Sequence, residues 1–170
     1  MRLYDQSTSR RRILRAQINW SRELTFSERQ VNYVMDNVPN ARGVYCIYLK
    51  TRLLAYDSSD WPTRRWSPVV YIGSGWLDHR LCAHLRYKKN GVLAEYLDNY
   101  ELAYRYALIF DNDEFQDWPR TVEAGLLFCF KQRFGELPPA NRREELIPAM
   151  ELDQFLLTES GNFRILKRGG

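Results

Sequence analysis

The stretch VVYIGSGWLDHRLCAHL, from Val69 to Leu85, limits the folds open to this chain more than any other. Its first half is apolar and rich in β-branched residues, as in a strand buried on both faces. Gly73 and Gly75 follow, and glycines are where a chain changes direction most easily. The second half has helical spacing, and Arg80 and His84, four residues apart, share one helix face. Asp78 stands where it can cap that helix. A strand, a glycine turn and a helix require a sheet with helices packed on it. The helix start then aims an arginine and a histidine at something negative.

The rest of the chain supplies the sheet and its cover. SRRRILRAQINW, 9–20, predicts a basic helix, and FSERQVNYVMDN, 26–37, a second one with Ser27 or Thr25 near its start and Pro39 beyond its end. GVYCIYLK, 43–50, is apolar on both faces and reads as a buried strand. Residues 51–68 form a long excursion whose WPTRRW joins tryptophans to arginines. GVLAEYLDNY predicts a short helix and LAYRYALIF, 102–110, a third strand. Asp117 and Pro119 open a helix that runs to Phe134, with Val122, Leu126, Phe130 and Phe134 on its inner face. Gly135 ends it, and LPPAN is an irregular loop. A helix over about 147–156 and a final strand, NFRILK, complete the chain. The expected class is α+β: a small, mainly antiparallel three-stranded sheet flanked by helices. An N-terminal basic helical arm occupies 1–40, a module with an insertion at 51–68 occupies 41–145, and a C-terminal extension packed on the module occupies 146–170.

Charge is uneven along the 170 residues: residues 1–90 carry a net +9 and residues 91–170 a net −5. That asymmetry suits one face meant for a polyanion, and equally a solvated surface of uneven charge. Eleven tyrosines and five tryptophans serve a core or a nucleic-acid surface. Cys46, Cys82 and Cys129 are odd in number and widely spaced, as in reduced thiols of a cytoplasmic protein. No run approaches the roughly 18 apolar residues of a membrane span, and the first residues lack the apolar segment of a secretory signal. Common catalytic signatures are missing as well. GSGWLD puts Asp78 where a dinucleotide-binding turn needs a small residue, and no Gly-Lys-Ser/Thr loop exists. There is no HExxH and no serine elbow.

What remains is a set of single residues on several elements. Tyr45 and Tyr71 lie on adjacent strands, Arg80 and His84 on one helix face, Glu123 near the start of the long helix and Asn141 in the loop after it. Each has an ordinary reading too: tyrosines in a core, a solvated arginine, a glutamate favouring a helix N-terminus. Taken in order, GVY at 43–45, YIG at 71–73, Arg80 with His84, Glu123 within VEAGLL and Asn141 resemble the GIY-YIG nuclease family over residues 40–145.

The resemblance implies a GIY-YIG-like module that hydrolyses phosphodiester bonds with one divalent cation, Mg²⁺ or Mn²⁺, held by Glu123. By the same resemblance Arg80 contacts the scissile phosphate, Tyr45 orients or deprotonates the attacking water, and Tyr71 hydrogen-bonds within the network. His84 assists proton movement or binds phosphate, and Asn141 is a supporting residue. The expected substrate is duplex DNA, with Arg10, Arg11, Arg12, Arg15, Arg64, Arg65, Arg86, Lys88 and Lys89 as phosphate contacts. A chain this short would cut both strands most simply as a symmetric homodimer, as a restriction or mobile-element nuclease does. The alternative is a nucleic-acid-binding protein that keeps the fold without catalysis.

Overall fold

The computed structural model describes residues 12–16, 18–56, 65–109, 118–141, 152–157 and 163–167, with side chains over 18–56, 66–109, 118–131 and 133–141. In chain order the elements are β1 (Arg12–Ala16), β2 (Leu24–Thr25), α1 (Glu28–Asn37), β3 (Arg42–Leu49), β4 (Leu54–Tyr56), β5 (Arg65–Ser67), β6 (Val69–Trp76), α2 (Leu77–Arg86), α3 (Gly91–Asn99), β7 (Leu102–Leu108), α4 (Trp118–Phe134), β8 (Leu152–Leu157) and β9 (Phe163–Lys167). The class is α+β. The main sheet is antiparallel in the order β2-β7-β3-β6, so it has four strands where three are expected. The fourth is the two-residue β2. β3, apolar on both faces, takes the centre, where both ladders and both faces are covered.

Alternation along β3 divides the core in two. Val44 and Cys46 face α4, whose stripe of Val122, Leu126, Phe130 and Phe134 lies against them as its four-residue spacing predicts. Tyr45, Ile47 and Leu49 face the other way, against Val31 and Val34 of α1, Leu77 and Leu81 of α2, and Leu93 of α3. Each fully buried leucine among these contributes about 2 kcal/mol of transfer free energy. The result is one sheet between α4 and the three shorter helices.

Local chemistry sets the helix ends. Asn90 caps α3, its Oδ1 accepting from the Leu93 N–H at 3.1 Å. Pro119 sits in the first turn of α4, where no intrahelical N–H is needed. Gly135, at φ +82°, closes α4 with its N–H on the Lys131 carbonyl. Asp78 is not the cap expected of it. Trp76 holds that position, α2 begins directly at the end of β6, and Asp78 Oδ1 accepts from the N–H of the next residue, His79.

Two expected helices are replaced by strands. Arg12–Ala16, inside the expected basic helix 9–20, is β1 and pairs with β9; Leu152–Leu157, in the helix expected over 147–156, is β8 on the other side of β9. Over five residues, a helix period and a strand alternation are hard to separate, and the pairing partner decides. In β8 the register shifts between Leu152 and Gln154, and that irregularity breaks the alternation that would have marked a strand. The remainder of both predicted helical segments lies partly outside the described residues. Part of the expected arm packs on the module: Ile18, Leu24 and Phe26 are buried in its core, and α1 packs on it through Val31 and Val34.

The excursion at 51–68 contributes β4 and β5, an antiparallel pair, and residues 57–64 lie outside the described residues. Tyr56 anchors it in the core, its ring 5.3 Å from those of Phe130 and Phe134 and its hydroxyl donating to the Val69 carbonyl at 2.8 Å. Trp66 stays exposed.

Candidate active site

β6 is an outer strand of the main sheet, and the predicted site residues gather along it. Tyr45 lies opposite Gly73 in the β3–β6 register, and Tyr71 lies opposite Ile47, so both tyrosines rise from the face that α2 covers. A Cβ at position 73 would stand 2.5 Å from the Tyr45 hydroxyl and 2.6 Å from Tyr71 Cε1. Glycine there makes room for the two rings, whose centroids are 5.9 Å apart. Two turns into α2, His84 stacks edge-on against Tyr71 at 4.8 Å, and its Nε2 lies 2.9 Å from the Tyr45 hydroxyl. Arg80 leans over Gly75, where a Cβ would meet its Cγ at 3.3 Å; Gly75 also holds φ +123°, a conformation that disfavours any side chain.

Glu123 approaches from the opposite face. Alternation turns Ser74 toward α4, and the Ser74 hydroxyl donates to Glu123 Oε2 at 2.5 Å, with the glutamate only 5% exposed. Between Tyr45 on one side and Glu123 on the other, β6 carries no side chain at 73 or 75. The sheet is thin there, and the carboxylate acts electrostatically on Tyr45, Tyr71 and Arg80.

The electrostatics assign proton positions. Burial, then the neighbouring Tyr71 and Glu123, hold the Tyr45 phenol well above its ordinary value, against the pull of Arg80. Burial also raises Tyr71. Burial and then Arg80 push His84 down to about 4, so at neutral pH the ring is uncharged. Tyr45 Oη and His84 Nε2 share a hydrogen bond whose donor is set by the imidazole tautomer: the phenol donates when the ring proton is on Nδ1. Nδ1 is buried and has no hydrogen-bond partner among the described residues.

A buried neutral histidine makes stability depend on pH. The folded value, about 4, lies below the unfolded 6.5, so between them the unfolded chain takes up a proton that the folded chain does not. Stability falls as pH drops through that window, by up to about 3 kcal/mol for a full shift of this size. Urea unfolding at several pH values, wild type beside His84→Gln, measures it. The variant's curve should be flatter between pH 4 and 6.5, and parallel curves would refute the assignment.

Asn141 does structural work on β6. Its Oδ1 accepts from the Ile72 N–H at 2.9 Å and its Nδ2 donates to the Ile72 carbonyl at 2.7 Å, while the Ala140 N–H bonds the Val70 carbonyl. The amide completes the ladder as a further strand would. Asn90 in turn holds the Ala140 carbonyl.

Of the expected phosphate contacts, Arg86 pairs with Glu28 and donates to Asn32 of α1, and Lys88 holds both oxygens of Asp98. Lys89 lies over the Tyr87 ring. Arg12 and Arg15 lie on β1 and Arg65 on β5; Arg10, Arg11 and Arg64 lie outside the described residues.

Sequence reasoning missed Ser74, Gly73 and Gly75 as parts of the site. The alternation Tyr71–Gly73–Gly75 against Ile72–Ser74–Trp76 was the signal that could have separated the two faces. An apolar pocket of about 170 Å³ between α4 and the sheet, lined among others by Cys46, Ile72 and Phe130, offers no acid or base beyond the Cys46 and Cys129 thiols and the Arg133 guanidinium.

No three His, Cys, Asp or Glu side chains form a cage among the described residues. The donor set is one buried carboxylate, Glu123, beside the Ser74 hydroxyl. That fits a hard cation of the Mg²⁺ kind, which takes one or two carboxylates and leaves its other positions to water and substrate phosphate. Comparison of the chain with protein-family models, with curated proteins and with solved structures finds no match. No described helix is long and apolar enough to cross a membrane.

Proposed function

We propose that this protein is a metal-dependent endonuclease of the GIY-YIG type that hydrolyses DNA phosphodiester bonds. The observation that carries the reading is the Tyr45–His84 hydrogen bond, buried beside Tyr71 and Arg80 with Glu123 across the same strand. A core tyrosine needs only a satisfied hydroxyl. Here the partner is a neutral imidazole nitrogen able to accept its proton.

Phosphodiester hydrolysis needs an activated water, charge stabilisation on the phosphate and help for the leaving oxygen. Tyr45 takes a proton from the attacking water as it passes its own to His84 Nε2. This removes the need for a standing phenolate, which burial makes costly. The imidazolium so formed would be disfavoured by burial and then by Arg80, and the phosphate's negative charge would favour it. Arg80, a permanent cation with a planar fork, binds the phosphate oxygens. Glu123 would hold Mg²⁺, which would supply Lewis-acid stabilisation of the developing charge. Ser74 keeps that carboxylate oriented. Two copies of the chain, each cutting one strand, complete the proposed activity on duplex DNA.

The test is cleavage of supercoiled plasmid with Mg²⁺ or Mn²⁺, wild type beside Glu123→Ala. Metal-dependent nicking or linearisation by wild type, lost in the variant, is expected. Salt-sensitive binding without cleavage by wild type at any metal concentration would leave a DNA-binding protein and overturn the catalytic reading.

A further inference from the structure

Trp76 is an exposed aromatic ring carried on β6 itself. It is 47% exposed, a large apolar area to leave in water at the end of a strand. Alternation places it on the face of Ser74, about 7 Å further along the strand, and so beside the residue that holds Glu123. Gly75, under Arg80, precedes it, and Arg80 itself follows four residues later. Its register partner on β3 is Arg42, whose guanidinium lies over the ring, 5.6 Å from the centroid. The ring is thus steadied by a cation, and it ends the strand that carries the candidate catalytic groups.

We propose that Trp76, backed by Arg42, is a stacking platform for a nucleobase next to the bond that is cut. The preferred substrate then presents an unpaired base at that place. A base stacks well on an exposed indole whatever its identity, and the positive charge of Arg42 and Arg80 suits the backbone on either side of it. A base inside a duplex must first leave its own stack, whereas one in a gap, bulge or single strand is already free to do so. The inference rests on the nucleic-acid reading of the site, but it does not require catalysis.

Binding without cutting separates the two. Glu123→Ala protein is titrated against oligonucleotides carrying 2-aminopurine in three settings: single-stranded, bulged in a duplex, and fully paired. The expected result is tighter binding to the first two, with fluorescence quenched as the base stacks. Adding Trp76→Ala should weaken that binding roughly tenfold or more and abolish the quench, while Trp76→Phe retains much of both. Thermal melting confirms that both variants fold. Equal affinity for all three substrates, or a Trp76→Ala protein that binds and quenches unchanged, would overturn the platform even if wild type cuts plasmid. Binding that discriminates through Trp76, with wild type unable to cut, would sustain the platform and remove the nuclease.

Discussion

Tyr45→Phe should lower the single-turnover cleavage rate by about 10²- to 10⁴-fold, the range for loss of a positioned proton-transfer group. The ring remains, with its contacts to Tyr71 and its place over Gly73, so the fold should hold, while the buried His84 Nε2 left without its partner should cost about 1–3 kcal/mol, a fall of a few degrees in melting temperature. What is lost is the hydroxyl on His84 Nε2 that, in the proposed reaction, stands between the attacking water and the ring. If the two groups work as the proposed relay, His84→Ala should add little in the Tyr45→Phe background. Fully additive losses, or a Tyr45→Phe enzyme within a few-fold of wild type, would show that the proton leaves by another route.

The second large effect concerns stability. Gly43 opens the apolar part of β3, and a Cβ there would run into the Ala107 carbonyl oxygen of β7, well inside the approach of real atoms. The obstacle is backbone in a paired central strand, so neither side can yield without parting the ladder. Gly43→Ala should cost about 3 kcal/mol or more, a fall of roughly 10 °C in melting temperature for a chain this long. Gly91→Ala, at the exposed start of α3, is the control and should be neutral or slightly stabilising. A Gly43→Ala protein that melts with the control would mean that β3 and β7 do not pair so closely.

The parts of this fold legible in the sequence are those where one local signal decided. β3, β6 and β7 are apolar runs bounded by turn residues, and α4 carries a four-residue stripe over seventeen residues. The sequence order of Tyr45, Tyr71, Arg80, His84 and Glu123 marked residues that do converge, although no spacing could say that Glu123 approaches from the other face. Where the reading went wrong, the deciding partner was distant. RILRA becomes a strand because residues 163–167 lie beside it, some 150 positions away. Asp78 had the chemistry of a cap, but α2 follows β6 with no intervening turn, leaving Trp76 in that place. Arg86 and Lys88 keep the charge expected of phosphate contacts and rest in exposed ion pairs with Glu28 of α1 and Asp98 of α3.

The closure of β6 by Asn141 bears on assembly. An outer strand with open N–H and carbonyl groups is a template on which a second copy can polymerise edge to edge. At Ile72 that template is already used, by an amide that presents donor and acceptor together as a peptide unit would. A copy arriving at this edge would have to displace Asn141 and the Ala140–Val70 bond beside it before gaining any pairing of its own. Were the proposed homodimer to form, pairing through β6 at Ile72 would carry that cost, which favours a different surface for it.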